Sequence, residues 1–486
     1  MKKFFLVAWW SLTATATITA QNEVDALRYS MYQFGGTARN ISMAGTLSAL
    51  GGDVSCAAVN PAGMARFTRS DFSFGFNYLD ANSQGYFNES GPVNNGRNHF
   101  NLSHFSLVGA FDAKNSSDWK TIQFGIVYQR YANYNQKFTF EGANSSSLLD
   151  AFVNEANGVN QNYLLDERPF YAGVAYFAYL IDPLDTIANT YISAIPDGQV
   201  NVSRTVERTG SMNETDFVLS ANYMDKVYFG ATLGIPGMRF NEEWSHRETP
   251  VDTSLSIQDF TFQQSLITRG TGINLKAGIM VLPKPWLRIG LAFHTPTGLS
   301  LTDKWATAAY GTFNYGDESW TSTAGNYSYH LRTPGRIIGT LGVVIKKYGS
   351  IGIEVEQVNY ARAKLRSTAL DPDNYSFYFE NTAIQNYYRN TLNFKVGGEL
   401  RLNPFYLRAG YAHYGSPMKD ISESEVLARQ VYTGGIGYKN RIFYIDLGFA
   451  MHQWKDSYYP YDPELTAPGK VKTVVNSFTL SGGITF

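Results

Sequence analysis

Catalysis or metal binding in this chain would have to draw on seven histidines, His99, His104, His246, His294, His330, His413 and His452, or on its one cysteine, Cys56. The histidines are scattered and fit no metal-ligand spacing. Serines are numerous enough to meet His294 or His452, yet no Gly-x-Ser-x-Gly elbow presents one as a nucleophile. A haem ligand would need an axial His or Tyr, and the sequence nominates none. Cys56 lies among alanines, where a small half-apolar thiol packs, and a single cysteine excludes an internal disulfide framework. The net charge of −1 supplies no basic field for nucleic acid. The expectation is a protein that is not an enzyme and carries no metal and no cofactor.

The chemistry on offer is instead that of close packing. Between Phe34 and Phe67 small residues dominate: Gly36, Thr37, Ala38 and Arg39, then Ala44, Gly45, Ala49 and Asp53, closing on Asn60-Pro61-Ala62-Gly63. No part of this stretch keeps the period of a strand or a long helix. Glycine and alanine bury little apolar area of their own, so such a segment packs only where other structure encloses it. Pro61 fixes its own φ and restricts Asn60 to extended conformations, which makes the closing element a rigid bend. Residues 21–69 read as a plug.

The enclosing structure follows it. At the C-terminus Phe478, Leu480, Gly482, Ile484 and Phe486 share one strand face, and Ser477, Thr479, Ser481, Gly483 and Thr485 share the other. The same alternation recurs backwards along the chain, with Leu392, Phe394 and Leu400 opposing Asn393, Lys395 and Glu399. A Lys or Arg facing a bilayer midplane costs roughly 2–4 kcal/mol, so Lys395 and Glu399 must turn inward. Links alternate between tight and long, the long ones near 81–98, 141–205, 244–268, 304–327, 366–388, 418–428 and 456–470. About fourteen strands result, all-β, and an even number returns both ends of residues 70–486 to one side of a transmembrane antiparallel barrel with the plug in its lumen. A soluble sandwich shows the same period but not the alternation of links. Tyr78, Trp119, Tyr128, Trp286, Tyr406 and Trp454 suit interfacial girdles.

A small-residue segment before the first strand, with Gly36, Ala38-Arg39, Ala44-Gly45, Ala49, Asp53 and Asn60-Pro61-Ala62-Gly63, resembles the FadL/TodX-type outer-membrane transporters of hydrophobic compounds. The resemblance implies a monomeric fourteen-stranded barrel with a lumenal hatch, passively passing small hydrophobic ligands such as fatty acids or aromatic hydrocarbons. Gly36, Arg39, Gly45, Asp53, Asn60, Pro61, Ala62 and Gly63 are then the hatch and latch candidates. A terminal aromatic, Phe486, likewise resembles the signal read by the barrel-assembly machinery. Lys2 and Lys3, an apolar run to Leu12 and small residues to Ala20 form a secretory signal peptide, 1–20, which places the barrel in a Gram-negative outer membrane among its lipids. Two alternatives stand beside transport: a sealed structural or adhesive barrel, and a haem-binding receptor.

The longest loop, 141–205, is expected to be partly helical. Leu148, Leu149, Phe152 and Val153 fall on one helical face. A thirteen-residue apolar run from Pro169 to Ile181 contains Phe170, Val174 and Phe177 and has Pro169 placed to start a helix. In the resembling family such segments form an apolar groove that collects substrate; the alternative is a lid that only packs over the mouth.

Overall fold

Alternating strands whose outer face is apolar can satisfy every backbone group only by closing on themselves, and here they do. The computed structural model describes residues 22–113, 118–368, 375–420 and 426–486, so the expected signal peptide lies outside the described residues. Fourteen antiparallel strands form one closed sheet. They are β1 (Asp71–Tyr86), β2 (Val93–Asp112), β3 (Trp119–Asn133, resuming as Gln136–Asn144), β4 (Val200–Tyr223), β5 (Val227–Pro250) and β6 (Ile257–Lys284). Next come β7 (Leu287–His294, resuming as Gly298–Phe313), β8 (Gly316–Thr321, Gly325–Arg332 and Arg336–Ile345) and β9 (Gly349–Asn359, resuming as Lys364–Ser367). The ring ends with β10 (Asn390–Leu402), β11 (Phe405–Tyr414), β12 (Arg429–Lys439), β13 (Phe443–Tyr458) and β14 (Gly469–Thr485). Closure is by β1 on β14, in register from Asp71 opposite Thr485 to Tyr86 opposite Lys470.

The strands β4–β8 are longer than the expected loops allowed. β5 runs to Pro250 and β6 starts at Ile257, so most of 244–268 is strand, and the same holds for 304–327. The reason lies in which face is apolar. From Tyr223 to Phe217 the outward residues of β4 include Leu219 and Phe217, while Ser220 and Asp216 point inward. Farther up the same strand the outward residues are Thr209, Glu207, Thr205 and Ser203, and the buried ones are Val206, Val202 and Val200 together with Arg204 and Arg208. β5 changes in the same way: Phe229, Leu233 and Ile235 face out, then Arg239, Asn241 and Glu243 face out while Met238, Phe240 and Trp244 are buried. The period of two never breaks, but its sign inverts.

The apolar belt on β5 runs from Val227 to Ile235, within the roughly 9–11 residues that a strand tilted by about 45° uses to cross a bilayer core. Of the expected girdle residues, Tyr78, Trp119 and Trp286 are exposed on the outside. Trp454 instead faces inward, packed beside Leu79, Ala81 and Val475 and covered by Arg429. Tyr406 shares the inward face of β11 with Arg408. Both follow from parity, because outward positions on β11 and β13 are odd.

The belt gives a direct test. Leu219→Arg should lower barrel stability by about 2–4 kcal/mol, whereas Thr209→Arg, on the same face above the belt, should change it by about 0–1 kcal/mol. Urea unfolding in detergent, read by gel mobility of the folded barrel, measures both. Equal effects would remove the belt boundary between Phe217 and Thr215.

Candidate functional site

Residues 22–67 run down the inside of the ring. The descent is built from very short pieces: α1 (Glu23–Arg28), α2 (Ala38–Ser42), a 3-10 turn at Thr46–Ala49, α3 (Cys56–Val59) and a second 3-10 turn at Pro61–Arg66. Side-chain caps start three of them, Asn22 accepting from Asp25 N, Thr37 from Asn40 N and Asn60 from Ala62 N. Gly36 has φ +86°, and a Cβ there would lie 2.2 Å from Ser55 Oγ. Gly45, at φ +83°, packs against the Phe34 ring, and Gly63 against Cys56 Sγ. Asp53 holds the segment to itself, accepting from Thr37 Oγ1 and Ser55 N at 3.0 Å.

Two of the latch candidates reach the wall through their side chains. Arg39 Nε donates to Glu399 at 3.0 Å, and Arg408, which also donates to Glu399 at 3.0 Å, continues to Asp446 at 2.6 Å. Asn60 Nδ2 donates to Ile279 O at 3.3 Å. The Asn60-Pro61-Ala62 backbone lies against wall glycines, since a Cβ on Gly230 would be 2.2 Å from the Pro61 carbonyl carbon and one on Gly278 2.0 Å from Asn60 Oδ1. Ala62 packs with Tyr228 and Met280. Other ties escaped the sequence reading: Ser48 to Glu354, which also accepts from Lys395; Arg288 to Leu50 O; His294 Nε2 with Val59 O; and Thr232 Oγ1 to Ala57 O. Their only sequence signal is a polar residue at inward parity inside the belt, which marks the wall position and not its partner.

Above the belt the inverted faces enclose an apolar chamber. The α1 segment fills one side of it, with Leu27 and Tyr29 packed among Met212, Met238, Phe240, Leu299 and Leu331. Burial pushes the Asp25 carboxyl up to about 7, against the pull of Arg28. The long loop covers the other side with α4 (Leu148–Ala156), α5 (Leu164–Glu167) and α6 (Ala172–Phe177). The apolar run expected to start a helix at Pro169 is helical over α6 alone and then forms a hairpin, Ile181–Asp185 with Thr190–Ser193. Leu148, Leu149, Phe152 and Val174 are buried with Phe138, Phe140, Trp244, Phe260 and Phe262. Val153 and Phe170 are half-buried on the same cluster, while Phe177 is exposed and stacks on Trp320 at 4.8 Å. Glu248 pins this lid, accepting from Leu148 N at 2.8 Å and facing His246 Nε2 at 2.7 Å. Burial also raises the Glu155 carboxyl to about 7, despite the Ala172 N–H that it accepts.

The ladder between β2 and β3 is interrupted at the top of the belt. β2 pairs with β3 only from His104 opposite Gln129 to Asp112 opposite Thr121, although its pairing with β1 continues up to Val93. β3 carries a bulge between Arg130 and Ala132, breaks after Asn133 and resumes paired to β4 alone. Its upper half tucks inside β1, where a Cβ on Gly85 would be 2.1 Å from Thr139 O. At this break the plug backbone substitutes for a strand, Gln33 N donating to Tyr131 O at 2.8 Å. A cavity of about 60 Å³ lies there, lined by Phe34, Asn101, Ser103, Arg130, Tyr131 and His452. Among the described residues no group of three or more His, Cys, Asp or Glu could hold a metal ion.

No protein-family model and no curated protein matches the sequence. Solved structures do match the fold. A Pseudomonas aeruginosa FadL homologue superposes with a TM-score of 0.59 at 13% identity over 94% of this chain and 100% of that one. The P. putida toluene transporter TodX gives 0.51 at 12% identity over 94% and 99%. The monoaromatic hydrocarbon channel CymD gives 0.50 at 11% over 93% and 98%. The chain therefore has the barrel fold of FadL-type channels.

Proposed function

We propose that the barrel sits in an outer membrane, exported by residues 1–20, and lets small hydrophobic molecules pass downhill beside a hatch formed by residues 21–69. The inversion of the two faces along β4 and β5 carries this reading. A barrel that only anchors itself needs apolar residues outside the belt and none inside a tall rim. Here the rim turns Val202, Phe240, Phe260 and Leu299 inward, packed against α1 and the lid, so a hydrocarbon that displaces either meets an apolar lining. The ladder break between β2 and β3 supplies a sideways exit at the outer leaflet, so an apolar solute need not cross the charged ties below. The solved barrels of like fold that are named for toluene and monoaromatic hydrocarbons support the substrate class.

The packing of α1 and the lid into the same chamber favours a second reading, a sealed barrel. Uptake decides between them. Cells carrying the protein should accumulate a fluorescent fatty acid or a small aromatic faster than cells without it, and mass spectrometry of the purified barrel should find apolar ligand. No uptake of either probe at equal surface abundance would leave the sealed barrel.

A further inference from the structure

The outward face of β5–β9 immediately above the belt carries a concentration of cations that packing does not explain. Arg239 stands directly opposite Arg269. Arg332 is opposite Lys364, and His330 is opposite Arg366. All six are exposed and on the outside of the ring. Like charges directly opposite in a ladder repel and destabilise the pair, yet two such pairs, Arg239 with Arg269 and Arg332 with Lys364, stand within five neighbouring strands, with Arg366 beside them. Among the described residues none of the five Arg and Lys side chains has a carboxylate within ion-pair distance, whereas higher on the same face Arg247 pairs with Asp259. Across the ring, the first outward residues above the belt are Gln430, Gln453, Asn476, Asp80 and Asn98, none of them a cation, and one facing pair, Lys455 opposite Lys472, stands above them. The chain as a whole is balanced at −1, so the patch is a local choice.

From this we infer that the β5–β9 face binds a phosphorylated glycolipid of the surrounding outer leaflet, its phosphates bridging the paired cations. The inference rests on the membrane reading above, because it needs the belt to be immersed. The position fits a headgroup: Ile273 and Ile337, on β6 and β8, are exposed just below the patch, where acyl chains would lie. Guanidinium groups take phosphate oxygens through two parallel hydrogen bonds, and a phosphate between two facing cations turns their repulsion into attraction. A second feature agrees. The helix α7 (Tyr378–Tyr387) is fastened to β9 by Asn381, whose side chain pairs with both Leu365 N and Leu365 O. It leaves Tyr378, Phe379 and Tyr387 exposed, as interfacial and sugar-facing aromatics are. The patch spans about 19 Å across five strands at roughly 4.8 Å each, enough for one multiply phosphorylated headgroup.

The test uses the full-length protein extracted from outer membranes in mild detergent, with bound lipid quantified by mass spectrometry and by phosphate. The parent should retain the phosphorylated glycolipid. The variant Arg269→Gln with Arg332→Gln, Lys364→Gln and Arg366→Gln should retain roughly fivefold less or lower, and parent retention should fall with salt. Lys470→Gln with Lys472→Gln, on the other side of the ring, should retain as much as the parent. Enzymatically dephosphorylated glycolipid, offered to delipidated parent, should bind no better than to the variant. Equal retention by parent and fourfold variant, or equal binding of the dephosphorylated lipid to the parent, would overturn the proposal. Each sample is also scored for heat-modifiable mobility and membrane fractionation. A parent that is not a membrane-inserted barrel fails the reading beneath the proposal, and an inserted barrel without bound phosphate fails the proposal alone.

Discussion

Deleting residues 22–67 should convert the closed ring into an open pore without dismantling it. The ladder that closes β1 on β14 involves no plug residue, so the wall keeps its hydrogen bonds when the plug is gone. The ties that are lost include polar ones, Arg39 with Glu399, Ser48 with Glu354, and His294 with Val59 O, and apolar ones, Ala62 with Tyr228 and Met64 with Val108 and Val127. Water entering the bore can solvate the groups left behind, which limits the penalty for breaking them. A fourteen-stranded wall is too wide to fill its own lumen with side chains, so conductance and entry of small polar dyes should rise by roughly an order of magnitude or more. The chamber loses the α1 contacts, and some loss of stability in the rim is expected with it. Gly230→Val is the single-residue counterpart. Its branched side chain would enter the space now held by the Pro61 carbonyl, which as backbone cannot rotate away. It should loosen the Asn60-Pro61-Ala62 bend and raise dye entry part of the way. Unchanged conductance after the deletion, with the barrel folded, would show that the lid over 141–205 closes the path instead.

Much of this fold was legible in the sequence, because a strand's two faces are written at alternate positions. Lys395 and Glu399 could be placed inward from the energetics of the belt alone, and both do face the lumen, Glu399 meeting Arg39. What the alternation could not show was its own change of sign. Above Val206, β4 continues with Thr205, Ser203 and Asn201 outward, and above Glu243 β5 continues with Ser245 and Arg247, which by composition read as loop, so the expected strands are too short. The same inversion hid the chamber: Val202 and Phe240 look like belt residues until their parity is followed up from Val218 and Thr232. Small residues set 34–67 apart from the strands that follow, and Asn60 and Arg39 do touch the wall. Their partners were not, because Ile279 and Glu399 lie hundreds of residues away and nothing local marks the pairing. The loop cluster was legible as apolar, since Leu149, Phe152 and Val174 needed burial wherever the chain went. A helix start at Pro169 was overridden by packing that makes only six residues helical.

The largest loss of stability from one side chain is expected at Lys276. It sits at inward parity on β6 within the belt, almost wholly buried, and donates to Asp216 at 2.7 Å, to Tyr131 Oη at 2.6 Å and to Glu214. Gln129 adds a donor to Asp216 at 3.0 Å and Asn274 one to Glu214 at 2.9 Å. Lys276→Met keeps most of the length of the side chain but leaves two buried carboxylates facing each other without their cation. Removing one partner of a buried ionic cluster costs about 3–5 kcal/mol, most of it the price of the charges left behind. Lys276→Met combined with Glu214→Gln and Asp216→Asn should therefore recover most of the loss, since amides need no counter-charge. The cluster also holds Tyr131, whose backbone carbonyl accepts the Gln33 amide at the break between β2 and β3. In the single variant, hydrogen exchange at the Gln33 amide should quicken before the barrel unfolds, because the anchor is loosened first where the ladder is already interrupted. Urea unfolding in detergent measures the stability and mass-resolved exchange the local opening. A single variant within about 1 kcal/mol of the parent, too little for an uncompensated buried pair, would mean that water already reaches the two carboxylates through the break.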